Sequence, residues 1–255
     1  MEFVMSPNPR LRRSTGGAPI LRRPLTAEDR EMLSRSLITG DLPDRALLAR
    51  VDGPDARDLV GGRDKRNYAG IEFPYTWPGA VDIRGSRIRL DEPDLEISYA
   101  EDGSEIRKEK NKYKAAFGSS NMLYFFAETP AELLTDISVA VLFLEGEKKV
   151  LAAWVLATHR AAEPRFLPIG LSGVWNWRGK IGSVETANGR RRDVSGPLPD
   201  LARIPFAGRE VRIAFDSDAA TNSQVQIARC ALAQDLRRRG ARQVKYVLIP
   251  NRQEL

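Results

Sequence analysis

The chain has 255 residues, 42% hydrophobic and 29% charged, which is enough apolar content for one large domain or two small ones with cores of their own. Forty Lys and Arg stand against 34 Asp and Glu, and the resulting formal charge of +6 favours polyanionic partners. One Cys excludes an intramolecular disulfide framework and a cysteine-rich zinc site, and one His leaves little for imidazole-based metal binding, so any metal is expected on oxygen ligands. No apolar run approaches the roughly 18 residues of a membrane-crossing helix, and no signal-peptide core precedes the first arginines. These features read as a soluble, cytoplasmic protein with no membrane partner.

Residues 1–24, rich in Pro, Gly, Ser and Arg without periodicity, read as a mobile basic arm. "TAEDREMLSRSL" predicts a short amphipathic helix with Thr26 as N-cap, Asp29 three residues on, and Met32, Leu33 and Leu37 as its apolar positions. "PDRALLARV" predicts a second one. From Gly70 to Phe126 the pattern changes to short β-type pieces, "IEFPY", "SRIRL", "LEISYA" and "MLYFF", between Pro, Gly and Asp turns. They define a basic, largely antiparallel α+β subdomain over 25–130. The charged "DGSEIRKEKNKYK" within it reads as a hairpin loop or a solvated ridge.

From 131 to 255 the order becomes strand, helix, strand. "ISVAVLFL" is a continuous apolar run typical of a strand buried on both faces, and "KVLAAWVLATHR" after it is helical. "RFLPIGLS" is a second strand, and the Gly-rich excursion from Gly173 to Asp200 is expected to hold loops or a short helix. "REVRIAF" is a third strand. The helix after it carries Val225, Ala228, Leu232 and Leu236 on one face and stops at Gly240, and "QVKYVLIP" closes as a fourth strand. The expected fold class is α/β, a parallel-sheet domain preceded by the smaller antiparallel subdomain.

Ligands of open parallel sheets bind in the crevice outside the carboxyl ends of the strands. Two strands deliver acids to that edge: Glu145 follows the first, and Asp216 with Asp218 follows "VRIAF". Should those strands be neighbours, three carboxylates converge, and such a cluster repels itself without a cation. Carboxylates without soft ligands suit Mg²⁺. Taken alone, "DSD" reads first as an Asx-type turn capping the next helix, and Glu145 could likewise be a helix-start acid; the joint pattern turns the reading towards a metal site.

Strand-"EGE"-helix followed by strand-"DSD"-helix-strand resembles the Toprim domain shared by bacterial primases, type IA and type II topoisomerases and certain nucleases. More narrowly, "FLEGEKKVLAAW", "IGLSGVWNW" and "VRIAFDSDAATN" are similar to the Toprim-like domain of uncharacterised function in plasmid and phage replication proteins. Upstream, "FPYTWPGAVDIRGSRIRLD" and "NKYKAAFGSSNMLYFF" resemble the basic N-terminal subdomain of the primase catalytic core. The resemblance implies Glu145 as general acid or base and as a metal ligand, with Asp216 and Asp218 holding Mg²⁺, or Mn²⁺ in its place. It implies Arg84, Arg87, Arg89, Lys112 and Lys114 as a ridge that holds template or nucleotide phosphates, although the same residues read equally as ordinary strand-surface charge. The implied activity is Mg²⁺-dependent nucleotidyl transfer, primase-like primer synthesis in plasmid or phage replication. The alternatives are a Toprim nuclease and a non-catalytic nucleic-acid-binding accessory domain. Expected partners are single-stranded DNA or RNA, nucleoside triphosphates, and a separate helicase or other replication protein. The pattern departs from the family in having no cysteine zinc module, no Walker A segment and no third acid pair, and it ends soon after the last strand, as in a fragment of a larger replication protein.

Trp175 and Trp177 before Arg178 could stack bases beside the phosphate site or bury one face of a strand. Lys148 and Lys149, directly after Glu145, read either as reaching a triphosphate or as exposed residues of the helix's first turn. Gly189 to Asp193, "GRRRD", is a better phosphate contact than Arg237 to Arg239, which end a helix where cations suit the macrodipole. His159 reads as solvated and Cys230 as core.

Overall fold

The computed structural model describes residues 20–186, 188–216 and 222–248. The first half opens with α1 (Ala27–Ser34), closed by the expected capping box: the Thr26 hydroxyl accepts from the Asp29 N–H at 3.2 Å and the Asp29 carboxylate accepts from the Thr26 N–H at 2.9 Å. Residues 20–24 belong to this body and not to an arm. Arg22 makes a two-pronged contact with buried Glu72 at 2.6 and 2.9 Å, and Arg23 exchanges two backbone hydrogen bonds with Arg50. The rest of the expected arm, 1–19, lies outside the described residues.

The second helix expected in "PDRALLARV" is one turn, α2 (Leu42–Arg45), because the backbone turns left-handed at Leu47, with φ 58°, and releases β1 (Ala49–Val51) to pair with the sheet. α3 (Gly53–Val60) follows, capped by the Asp52 side chain. Next come β2 (Gly70–Tyr75), β3 (Gly85–Leu90), β4 (Asp94–Tyr99), β5 (Glu105–Lys110) and β6 (Tyr113–Ala115). β1, β2, β3 and β6 form an antiparallel sheet in that order, and β4–β5 is a separate, exposed hairpin. "MLYFF" is not a strand. Leu123 to Phe126 are buried on all sides, and Tyr124 alone pairs, through an isolated bridge to Gly170.

The second half holds α4 (Glu132–Thr135), β7 (Ala140–Glu145), α5 (Glu147–Thr158), β8 (Phe166–Leu171), β9 (Arg178–Glu185), β10 (Arg191–Pro197), α6 (Pro199–Ala202), β11 (Glu210–Ala214), α7 (Ser223–Arg238) and β12 (Gln243–Tyr246). β12, β11, β7 and β8 lie side by side, all parallel. The Gly-rich excursion is an antiparallel hairpin, β9–β10, where loops or a short helix were expected. Its side chains are exposed on both faces, so the alternation that announces a half-buried strand is missing. The two expected helices form, and Val225, Ala228, Leu232 and Leu236 are buried on α7 as their spacing predicts.

The apolar core runs without a break from Leu25 and Leu33 through Phe73, Phe125 and Phe143 to Leu236, so the antiparallel and parallel sheets share buried surface. Each large side chain buried there contributes about 1.5–3 kcal/mol. Phe126 against Trp154, with ring centroids 4.9 Å apart, ties the "MLYFF" segment to α5. Arg209, 0% exposed, gives its guanidinium to the carbonyls of Leu133, Leu134 and Val139 at 2.6–2.8 Å, closing the entry to β7. No helix among the described residues is long and apolar enough to cross a membrane.

Candidate functional site

The spatial order β12-β11-β7-β8 places the first strand of the sheet in the middle: the chain goes from β7 outward to β8, then crosses back to β11 on the other side. The β7/β11 junction is therefore the switch point at which a crevice opens beyond the strand ends. In register, Leu144 pairs Ala214, so Glu145 and Asp216 leave neighbouring strands at the same edge. The strand-end acids thus share an edge, because β7 and β11 are neighbours. Asp218 and Ser217 lie outside the described residues.

Gly146 makes the turn from strand to helix in one residue. Its φ of 92° would strain any other side chain, and its N–H donates to the Leu171 carbonyl of β8 at 2.7 Å. α5 then starts at Glu147 with its first-turn N–H groups at the crevice end, a favourable place for anionic ligands.

A crevice of about 390 Å³ sits there, lined by Glu145 and Asp216 together with Arg87, Arg89, Lys112, Lys148 and Lys149. Arg87 and Arg89 lie two apart on β3 and face the same side; Arg89 pairs in register with Tyr113 of β6, next to Lys112. The antiparallel sheet supplies the basic wall and the parallel sheet the acidic edge. Lys149 forms an ion pair with Asp216, and Lys112 one with Glu109 at 2.9 Å. The half-buried Lys148 ammonium lies 3.8 Å from the Met32 sulfur. Its pKa is held below the ordinary lysine value by burial first, then by Arg89, Lys112 and Lys149. An anion seated among these cations relieves that repulsion.

Glu147 is the residue that sequence reasoning did not single out. It is 1% exposed, and its Oε1 accepts from the Tyr75 hydroxyl at 2.6 Å and from Arg87 at 2.8 Å. Burial pulls the Arg87 guanidinium down, but the Glu147 carboxylate and the Tyr75 hydroxyl outweigh it and leave its pKa raised. Burial, then the Glu147 charge, pushes the Tyr75 hydroxyl well up, so it stays a donor. The second acid of "EGE" was visible as a helix-start residue. Its burial depends on β2 and β3, more than fifty residues away.

The remaining expected residues fall outside the crevice. Arg84 pairs with Asp200 at 2.6 Å and stacks over Trp77, beside an adjoining pocket of about 230 Å³. Lys114 points to Asp94 at 4.0 Å. Trp175 is 36% exposed, whereas Trp177 is buried at 4% with the Arg178 guanidinium over its ring, so the two tryptophans do not form a paired stacking platform. Cys230 is exposed, not core, and His159 is exposed as expected. Among the described residues, no group of three His, Cys, Asp or Glu side chains is close enough to hold a metal ion.

The fold and the site define a mixed α/β protein whose parallel sheet carries an acidic edge at its switch point, faced by a basic wall. Residues 131–254 match the model of a family described as a domain of unknown function, DUF3854, a span that holds the parallel sheet, its helices and the β9–β10 hairpin. No curated protein and no solved structure matches the chain.

Proposed function

We propose that the crevice is a Mg²⁺-dependent nucleotidyl-transfer site on a Toprim-type domain, used for primase-like primer synthesis in plasmid or phage replication. The observation that carries the reading is the position of Glu145 and Asp216 at the ends of adjacent parallel strands, facing Arg87, Arg89, Lys112, Lys148 and Lys149. Acids within a basic crevice suit a substrate that brings both negative phosphates and a cation.

The donor set fits a hard divalent ion: the acids offer oxygen, neither His nor Cys lines the crevice, and Asp216 already holds the positive charge of Lys149. Glu145 and Asp216 would hold Mg²⁺ or Mn²⁺. When bound, the ion neutralises charge developing on phosphoryl oxygens. Glu145 exchanges a proton with the attacking or leaving hydroxyl. Lys148, Arg89 and Lys112 hold phosphates, and Arg87 is aimed by its bond to Glu147. The Lys149–Asp216 pair favours a second reading, a nucleic-acid-binding module that works without metal.

Primer synthesis on single-stranded DNA with labelled nucleoside triphosphates and Mg²⁺ separates these readings, with scission scored in the same lanes. The proposal expects extension by the native chain and a loss on the order of 100-fold or more in Glu145→Gln and Asp216→Asn. Scission without extension would make the chain a nuclease. Neither activity, with DNA binding unchanged by both substitutions, would leave the binding module.

A further inference from the structure

The β9–β10 hairpin belongs to the matched span but does not line the crevice. It is a two-stranded ribbon with β9 eight residues long, about 26 Å at ~3.3 Å per residue. Five cations, Arg178, Lys180, Arg190, Arg191 and Arg192, stand on it against two acids, Glu185 and Asp193. Asp193 is taken by Lys180 at 2.7 Å. Arg190, Arg191 and Arg192 are exposed at the distal end and have no carboxylate within ion-pair distance among the described residues.

Their placement across the ribbon matters as much as their number. Arg191 pairs in register with Glu185 and Arg192 with Val184, so successive arginines project from opposite faces. A flat anionic surface would be met by cations gathered on one face. Cations on both faces suit a body inserted between two rows of phosphate, and a two-stranded ribbon has the width of the major groove of a duplex, about 12 Å. The distal end is held in shape: the Thr186 N–H and hydroxyl both donate to the Arg190 carbonyl at 2.8 Å, and Gly189, with φ 70°, completes the turn.

The base of the ribbon is fixed beside the crevice. Ser172, which lines the crevice, accepts from the Asn176 side chain at 3.1 Å, and the next residue, Trp177, is buried and accepts from the Leu198 N–H at 3.0 Å. Asn121 holds the Arg178 carbonyl at 3.2 Å. Resting on the reading that the crevice acts on nucleic acid, we propose that β9–β10 is a duplex-binding arm that enters the groove of the double-stranded segment adjoining the crevice.

The test is fluorescence anisotropy of the full chain with a 20-base-pair DNA duplex across a salt series, beside a 20-nucleotide single strand and anionic phosphatidylserine vesicles. Replacing Arg190, Arg191 and Arg192 together with Gln is expected to weaken duplex binding at least about 10-fold and to flatten the slope of log affinity against log salt by about 2–3, at ~0.9 for each phosphate no longer neutralised. Replacing all three with Lys retains the slope. Circular dichroism and the melting temperature stay as in the native chain, since these side chains hold no ion pair among the described residues. A duplex slope unchanged by the Gln substitutions overturns the proposal, as does a loss larger for the single strand or confined to the vesicles. The outcome is separate from the chemistry assigned to Glu145: loss of the ribbon effect with primer extension intact refutes the arm alone, and a ribbon effect without any extension refutes the catalytic reading alone.

Discussion

Replacing Arg87 with Met removes the guanidinium that compensates Glu147 and leaves a carboxylate 1% exposed with the Tyr75 hydroxyl as its remaining hydrogen-bond donor among the described residues. The predicted cost is about 3–5 kcal/mol, because a buried charge stripped of its partner keeps its full desolvation penalty. Tyr75→Phe removes a single charge-assisted hydrogen bond and is expected to cost about 1.5–3 kcal/mol. Both donors bond the same oxygen, Glu147 Oε1, so the double variant should depart from additivity by at least about 0.5 kcal/mol. Glu147→Gln leaves the Arg87 guanidinium unpaired instead, but Arg87 is 18% exposed and opens on the crevice, so this variant should cost less than Arg87→Met. Urea unfolding followed by circular dichroism and tryptophan fluorescence, with coincident transitions required, measures all four. A cost below about 1 kcal/mol for Arg87→Met would refute the claim that Arg87 compensates the buried Glu147 charge.

Two further outcomes follow from groups on the same scaffold. Polyphosphate affinity should fall as pH rises through the lowered pKa of Lys148, with proton uptake on binding below the ordinary 10.5, and Lys148→Arg should flatten that fall; calorimetry in two buffers reads both. The sign for stability is opposite: the unfolded chain keeps that proton to higher pH, so this group's contribution to stability rises with pH across the same window. Arg209→Met strands three carbonyls, those of Leu133 and Leu134 buried and that of Val139 partly so, and should cost at least about 3 kcal/mol in urea unfolding, whereas an exposed arginine such as Arg192 changed to Met should cost under about 0.5 kcal/mol.

What was legible in the sequence was whatever rests on local pattern. Thr26 and Asp29 announce their capping box, "ISVAVLFL" its doubly buried strand, and Glu145 and Asp216 their strand ends. That β7 and β11 are neighbours was a condition the pattern could not settle, since strand order depends on which crossover the chain takes. The burial of Glu147, and the choice between the stacking and buried readings of Trp177, lay beyond local pattern for the same reason: it is supplied by β2, β3 and the Leu198 segment, none of them close in sequence. "MLYFF" has the composition of a strand, but it is buried on all sides and pairs only at Tyr124. The β9–β10 ribbon failed in the opposite sense, with too little burial to leave a periodic trace.

The most direct test of the proposed metal site is Mn²⁺ binding by electron paramagnetic resonance in the presence of a nucleoside triphosphate, on the native chain, Glu145→Gln and Asp216→Asn. The expected result is a saturable Mn²⁺ site in the native chain, weakened at least about 10-fold by each substitution, because both carboxylates face one crevice. Mn²⁺ affinity that is the same in all three proteins would contradict the proposal and leave the crevice a site for phosphates alone.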